Sequence, residues 1–222
     1  MSLAKRYAIL LMGVISQSAG IAIVVKSLLG TSPISSVPYV LSLIVPFSFG
    51  QTTFAVNMLL LLSQILLLGR KFHLVQLLQI PVTVVFAAFI DVFMAVFAGL
   101  EPGFYPEKLL LLFVGACLVS LGVALQVIAD VLMLSGEGIV YAISQVFRLD
   151  FGKVKTGFDC FLVITAALMC LVYLPSIEGI REGTLVSALI TGSIARWFIH
   201  RISCPDEQGK LVLCLFHKKR KS

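Results

Sequence analysis

The stretch Leu29–Pro38, LGTSPISSVP, holds one Gly, one Thr, three Ser and two Pro directly after a long apolar run. Either it is a loop in water between two membrane spans, or it is polar backbone folded back into the bilayer. Irregular backbone is tolerated at membrane depth only where protein or a water-filled cavity satisfies it. The second reading therefore makes this stretch part of a site.

Composition makes the bilayer the relevant solvent. Of 222 residues, 59% are hydrophobic and 13% charged, with a mean hydropathy of +1.05. Soluble domains run near ~45–50% apolar and ~25% charged. Apolar runs of crossing length lie at 7–29, 52–68, 75–98, 109–132, 156–174 and 183–199, a helix needing roughly 20 residues to cross the hydrocarbon. Two shorter runs, 33–47 and 136–147, read as half-helices. The opening MSLAKRYAILLMGVISQSAG has the layout of a signal peptide. Its apolar run continues through Val24 and Val25, so a retained first helix is expected.

Loop charge separates the two readings of LGTSPISSVP. With Lys5 and Arg6 in the cytoplasm, a 33–47 segment that enters and leaves on one side puts Arg70, Lys71 and His73 inside. GLEPGFYPEK then falls outside, Arg148, Lys153 and Lys155 inside, PSIEGIREG outside, and the basic tail inside. The expected fold is an all-α integral membrane protein of six transmembrane helices and two re-entrant half-helices, with both termini cytoplasmic. The net charge of +6 gathers at the chain ends. It points to anionic lipid at the tail rather than to nucleic acid.

An internal repeat supports this count. Displaced by 102 positions, the chain matches itself without gaps at ten positions between 11 and 60: Gly13 with Gly115, Ser18 with Ser120, Gly20 with Gly122, Ala22 with Ala124, Val25 with Val127, Tyr39 with Tyr141, Ser42 with Ser144, Phe49 with Phe151, Gly50 with Gly152 and Leu60 with Leu162. The expected organisation is a first repeat at 1–100, a second at 101–200 and a basic tail at 201–222. Three spans per repeat invert the second copy, a layout many transporters share.

Each repeat then offers a half-helix N-terminus near the midplane, with free N–H groups and a positive dipole end suited to an anionic or strongly polar group. Thr31 or Ser32 is expected to cap the first, before Pro33, and Ser135 the second, beside Gly136, Glu137 and Gly138. Thr31, Ser32, Ser135 and Glu137 are the candidate substrate contacts. Ionisable groups inside apolar runs are costly and point to function. Asp130, the equivalent positions Asn57 and Asp159, and Lys26 are the candidates for ion or proton coupling, Lys26 also fitting a snorkelling anchor. Asp91 fits an interface or a bundle-facing partner, and Gln126 a bond to a neighbouring helix. Five Cys, odd in number and without CxxC, indicate neither a disulfide framework nor a zinc site, and free thiols are expected. His73, His200 and His217 have no ligand spacing, and no hydrolase, metalloprotease or nucleotide-binding motif occurs. Neither an enzyme nor a metal or cofactor is expected.

The stretches GIAIVVKSLLGTSPISSVPYVLS, FSFGQ and GVALQVIADVLMLSGEGIVYAIS resemble the small bacterial membrane proteins of the YczE/YyaS/YitT type. That resemblance implies a bacterial inner membrane protein and supplies no ligand residues. The function expected is secondary transport or export of a small polar or anionic solute. The alternatives are a passive channel of the same architecture and a non-transporting scaffold or partner subunit; a homo-oligomer fits any of them.

Overall fold

The computed structural model describes residues 3–69, 72, 74–174, 179–205 and 211–213. Arg70, Lys71, His73, part of the 175–183 loop and the basic end 214–222, on which loop charge rested, lie wholly or partly outside them. Among the described residues eight α-helices follow in order: α1 Leu3–Lys26, α2 Pro33–Ile44, α3 Phe49–Leu68, α4 Gln79–Val96, α5 Tyr105–Ala129, α6 Ser135–Phe147, α7 Phe151–Tyr173 and α8 Glu182–Ile202. Five helices, α1, α3, α4 with its lead-in, α5 and α7, are long and apolar enough to cross a membrane. The two short helices stand where half-helices were expected, and α8, though 21 residues long, is less apolar.

The helix starts follow local chemistry. Pro33 opens α2, where its missing N–H costs nothing. Ser48 closes a capping box on α3: its hydroxyl accepts from Gln51 N at 3.1 Å while Gln51 Oε1 accepts from Ser48 N at 3.0 Å. Asp150 caps α7, accepting from Lys153 N at 3.1 Å. The expected cap of α6 needs correction: Leu134 is the N-cap and Ser135 the first helical residue. Ser32 is the N-cap of α2, but its side chain makes no cap bond.

The starts of α1, α2 and α3 recur 102 residues later as those of α5, α6 and α7. α1 and α5 form the central seam. Along it Arg6 meets Ala129, Gly13 meets Gly122, Gly20 meets Gly115 and Val24 joins Leu112. The numbers rise on one helix as they fall on the other, so the two run antiparallel. Small residues let the backbones touch, the device that replaces the hydrophobic effect between helices in lipid. Two further pairs of contacts reciprocate: α4 packs on α1 as α8 packs on α5, and α6 packs on α3 as α7 packs on α2. Ser16 donates to the carbonyl of Leu118, its own counterpart, at 2.9 Å. Likewise the Ile34 side chain presses on Gly136, its own counterpart.

The tail holds a short strand pair and a disulfide, neither of them expected from the sequence. The chain is not purely helical, since Ser203–Pro205 (β1) pairs antiparallel with Leu211–Leu213 (β2). This ribbon turns the tail back on the bundle and buries Leu213 against Ile9, Leu10, Ile128 and Ala129. Burial of that apolar side chain explains why the segment does not trail into solvent. Cys204, expected as a free thiol, is disulfide-bonded; Cys117 and Cys160 remain thiols.

Candidate functional site

A cavity of about 820 Å³ lies beside the α1–α5 seam. Ser32, Pro33 and Ile34 reach it from the start of α2, and Leu134, Glu137 and Gly138 from the start of α6. Both short helices therefore bring their N-termini to one space. α7 contributes Phe151, Lys155, Thr156 and Asp159 to one wall, and α8 contributes Thr191, Gly192, Ala195 and Arg196 to another.

The cavity is one-sided. It runs from the end of the bundle that carries Asp130, Lys155 and Arg196 to Gln17 and Ile21, midway along α1. The other end is sealed. Thr31 Oγ1 donates to Gly179 O at 3.0 Å, Thr31 N to Thr184 Oγ1 at 3.2 Å, and Arg181 to Leu28 O at 3.2 Å. Lys26 Nζ donates to Ala98 O at 3.4 Å across the same end. There α3 is also fastened to α4. The Asp91 carboxylate accepts from Ser48 Oγ at 2.5 Å and Gly50 N at 2.7 Å, so Asp91 has the bundle-facing partner allowed for it.

Of the eight candidates, Ser32, Glu137, Asp130 and Asp159 line the cavity. Ser32 Oγ donates to Ser35 Oγ at 2.9 Å. Asp130 is the residue after α5, in the left-handed region at φ 48°, and pairs with Arg6 at 3.3 Å. It is thus a helix-end residue, not a group within a span. Asp159 pairs with Lys155 at 2.7 Å. The other four stand off the cavity. Thr31 and Lys26 belong to the seal. Asn57 returns its Nδ2–H to Thr53 O at 2.8 Å within α3. Ser135 lies behind the lining, donating to Gln79 Oε1 at 3.1 Å.

Pattern reading missed four of the five glutamines here and named only Gln126. Gln17, Gln64, Gln76, Gln79 and Gln126 all line this cavity. Gln126 Nε2 donates to Gln17 Oε1 at 2.5 Å across the seam, the neighbour bond expected of it. Gln64, only 1% exposed, packs on Gly138. Its Oε1 and that of Gln76 are buried without a hydrogen-bond partner. An orphaned buried acceptor costs about 1–3 kcal/mol, so two beside one cavity mark a place where a donor is wanted. Glutamine inside an apolar run was the available signal, but a run does not say which way its side chain points. Glu137, half-buried in the first turn of α6, adds a carboxylate to the same wall.

The cavity can therefore hold a small polar molecule. Its walls are polar at the two helix starts and at the glutamines, and apolar at Ile21, Val119 and Val123. Among the described residues no group of three metal-ligating side chains gathers there or elsewhere. The profile of one protein family, a family of unknown function designated DUF6198, matches residues 4–200. No curated protein and no solved structure matches the chain.

Proposed function

Because the chain belongs to the DUF6198 family, whose function is unknown, we propose a function from the cavity itself: secondary transport of a small polar solute by alternating access. The observation that carries this reading is a broken reciprocity. α3 packs on α4, whereas the corresponding α7 and α8 are held apart by the cavity. One unit closed and its counterpart open is what two inverted repeats present in one state of an alternating cycle. The antiparallel α1–α5 seam and the residues that touch their own counterparts, Ser16 with Leu118 and Ile34 with Gly136, support such a relation.

In this reading α1, α3, α4, α5, α7 and α8 span the bilayer, and α2 and α6 are re-entrant. Loop charge puts the Arg6 end in the cytoplasm, so the cavity opens inward. The resemblance to YczE/YyaS/YitT-type proteins favours a bacterial inner membrane. The solute presents N–H or O–H donors to Gln64 Oε1, Gln76 Oε1 and the Glu137 carboxylate. The helix N-termini at Ser32 and Leu134 face its acceptors. Asp159 and Lys155, already paired, are the candidates for ion or proton coupling.

The test is a thermal-shift screen of purified protein against small amines, zwitterions and carboxylates, since a ligand stabilises the state it binds. Uptake of each hit into proteoliposomes follows. Saturable uptake that drops at least about tenfold in Glu137→Gln is expected, the loss of a charged hydrogen bond being worth ~1.5–3 kcal/mol. Non-saturating flux would instead identify a channel, and no binding across the panel would remove the transport reading.

A further inference from the structure

The closed and open helix pairs can be matched residue by residue. Ser18 Oγ donates to Phe86 O at 3.3 Å, and its counterpart Ser120 donates to Thr191 O at 3.0 Å. Thr191 thus stands where Phe86 stands. α8 follows α4 by 105 positions, not 102, and α7 is three residues longer than α3, 23 against 20. On this register Ala87 corresponds to Gly192 and Asp91 to Arg196. On the 102-residue register Ser48 corresponds to Asp150 and Gly50 to Gly152.

In the closed pair, Gly50 lies so near α4 that a methyl group on it would overlap the Ala87 carbonyl and the Asp91 carboxylate. Asp91 then takes the Ser48 hydroxyl and the Gly50 N–H. In the open pair the matching positions face space. A methyl group on Gly192 would meet nothing, and one on Gly152 only the carboxylate of Asp150, two residues away. Asp150 and Arg196 are both exposed, Asp150 capping its own helix and Arg196 Nε resting on Gly192 O at 3.3 Å. The chemistry of the two pairs is complementary. The first has its carboxylate on α4 and its donor at the start of α3. The second has its carboxylate at the start of α7 and its donor, a guanidinium, on α8. Each keeps one anion and one donor, with glycine where the backbones must approach.

Resting on the transport reading, we propose that Asp150 and Arg196 form the latch of the opposite state. α7 closes on α8 over Gly152 and Gly192 as α3 leaves α4, and the Asp150–Arg196 ion pair replaces the Asp91–Ser48–Gly50 contact. The two latches oppose each other, so weakening either shifts the population toward the state the other holds. Lys153, Lys155 and Asp159 share the inner part of α7, but Asp159 is matched by Lys155 and Asp130 by Arg6, which leaves Asp150 as the acid on α7 for Arg196 to meet on closure.

The full chain in detergent tests this without any solute. With Cys160→Ala removing the exposed thiol, Gly192→Cys reports the open cavity through its rate of maleimide labelling. Asp91→Ala should slow that labelling at least about fivefold, the scale of one lost charge-assisted hydrogen bond. Adding Asp150→Ala should restore it, while adding the reversed pair Asp150→Arg with Arg196→Asp should keep it slow. If Asp91→Ala does not fold, Ser48→Ala removes one charge-assisted hydrogen bond of the same latch and should slow labelling on the same scale, at least about fivefold. Labelling that ignores the Asp91 and Ser48 changes, or that Asp150→Ala fails to restore, overturns the proposal. Opposed latches in a protein that takes up nothing would leave the proposal standing and sink the transport reading alone.

Discussion

Gly20 and Gly115 meet backbone to backbone where α1 crosses α5: a methyl group on Gly20 would lie 2.7 Å from the Gly115 carbonyl oxygen, and one on Gly115 2.9 Å from that of Gly20. Neither obstacle is a flexible side chain, so the helices themselves must separate to admit a larger residue. Overpacking of this kind costs about 1–3 kcal/mol. Gly20→Leu should therefore lower the thermal midpoint in detergent by several degrees. Gly192→Ala is the contrast. It faces open space in mid-helix, where alanine is favoured over glycine by up to about 1 kcal/mol, so its midpoint should hold or rise. Equal effects of the two changes would mean that the seam is not the structural centre of the bundle.

The orphaned acceptor of Gln64 separates stability from function by sign. Replacing a buried polar group that has no partner with an apolar one of similar size removes a desolvation penalty of about 1–3 kcal/mol. Gln64→Leu should thus leave the thermal midpoint unchanged or raised. If the cavity binds a solute that donates to Gln64 Oε1, the same change should abolish the thermal shift given by that solute. A Gln64→Leu protein that is destabilised and still binds would show that this amide has a structural partner.

The sequence carried the helices further than it carried the site. Pro33 announced the start of α2 because proline acts locally, and the 102-residue register placed its counterpart at Ser135; the caps Ser48 and Asp150 begin α3 and α7 ahead of the apolar runs read from 52 and 156. The start of α4 was less legible. The apolar run from 75 enters through a 3-10 turn at Leu74–Leu78 before the helix proper begins at Gln79, and composition does not distinguish the two. Asp130 was read as a group inside a span, since nothing local announces that the chain turns into the left-handed region there. Asn57 and Asp159 occupy equivalent positions, yet only Asp159 faces the cavity. Their difference comes from α3 packing on α4 while α7 borders the cavity, a tertiary arrangement that no residue pattern encodes. The β1–β2 ribbon escaped notice because strands of three residues leave no periodicity to read.

Leu28 and Asp130, 102 positions apart, both leave their helices in the left-handed region, at φ 59° and 48°. That conformation costs an L-residue with a Cβ about 1–2 kcal/mol, and glycine nothing. Leu28 is also half exposed, so little packing is lost by trimming it. Leu28→Gly should raise the thermal midpoint by a few degrees, whereas Leu28→Val, β-branched at positive φ, should lower it. A lower midpoint for Leu28→Gly would show that the leucine side chain contributes more by packing than the backbone loses by strain.

The bond at Cys204 tests the orientation. A tail in the cytoplasm meets glutathione and thioredoxin, which keep thiols reduced; a tail on the outer side would keep its disulfide. The orientation proposed from loop charge, with Lys5 and Arg6 inside, would put Cys204 in the cytoplasm. Acid-quenched thiol trapping in intact cells should therefore find Cys204 alkylated, and protein purified in air should find it protected until a reductant is added. Because Leu213 of the same ribbon is buried on Ile9 and Ile128, the reduced tail should stay docked and the thermal midpoint should fall by only a few degrees. Cys204 protected from alkylation in living cells would turn the molecule over. The cavity would then open outward, and the state held by the Asp91 latch would be the outward-facing one.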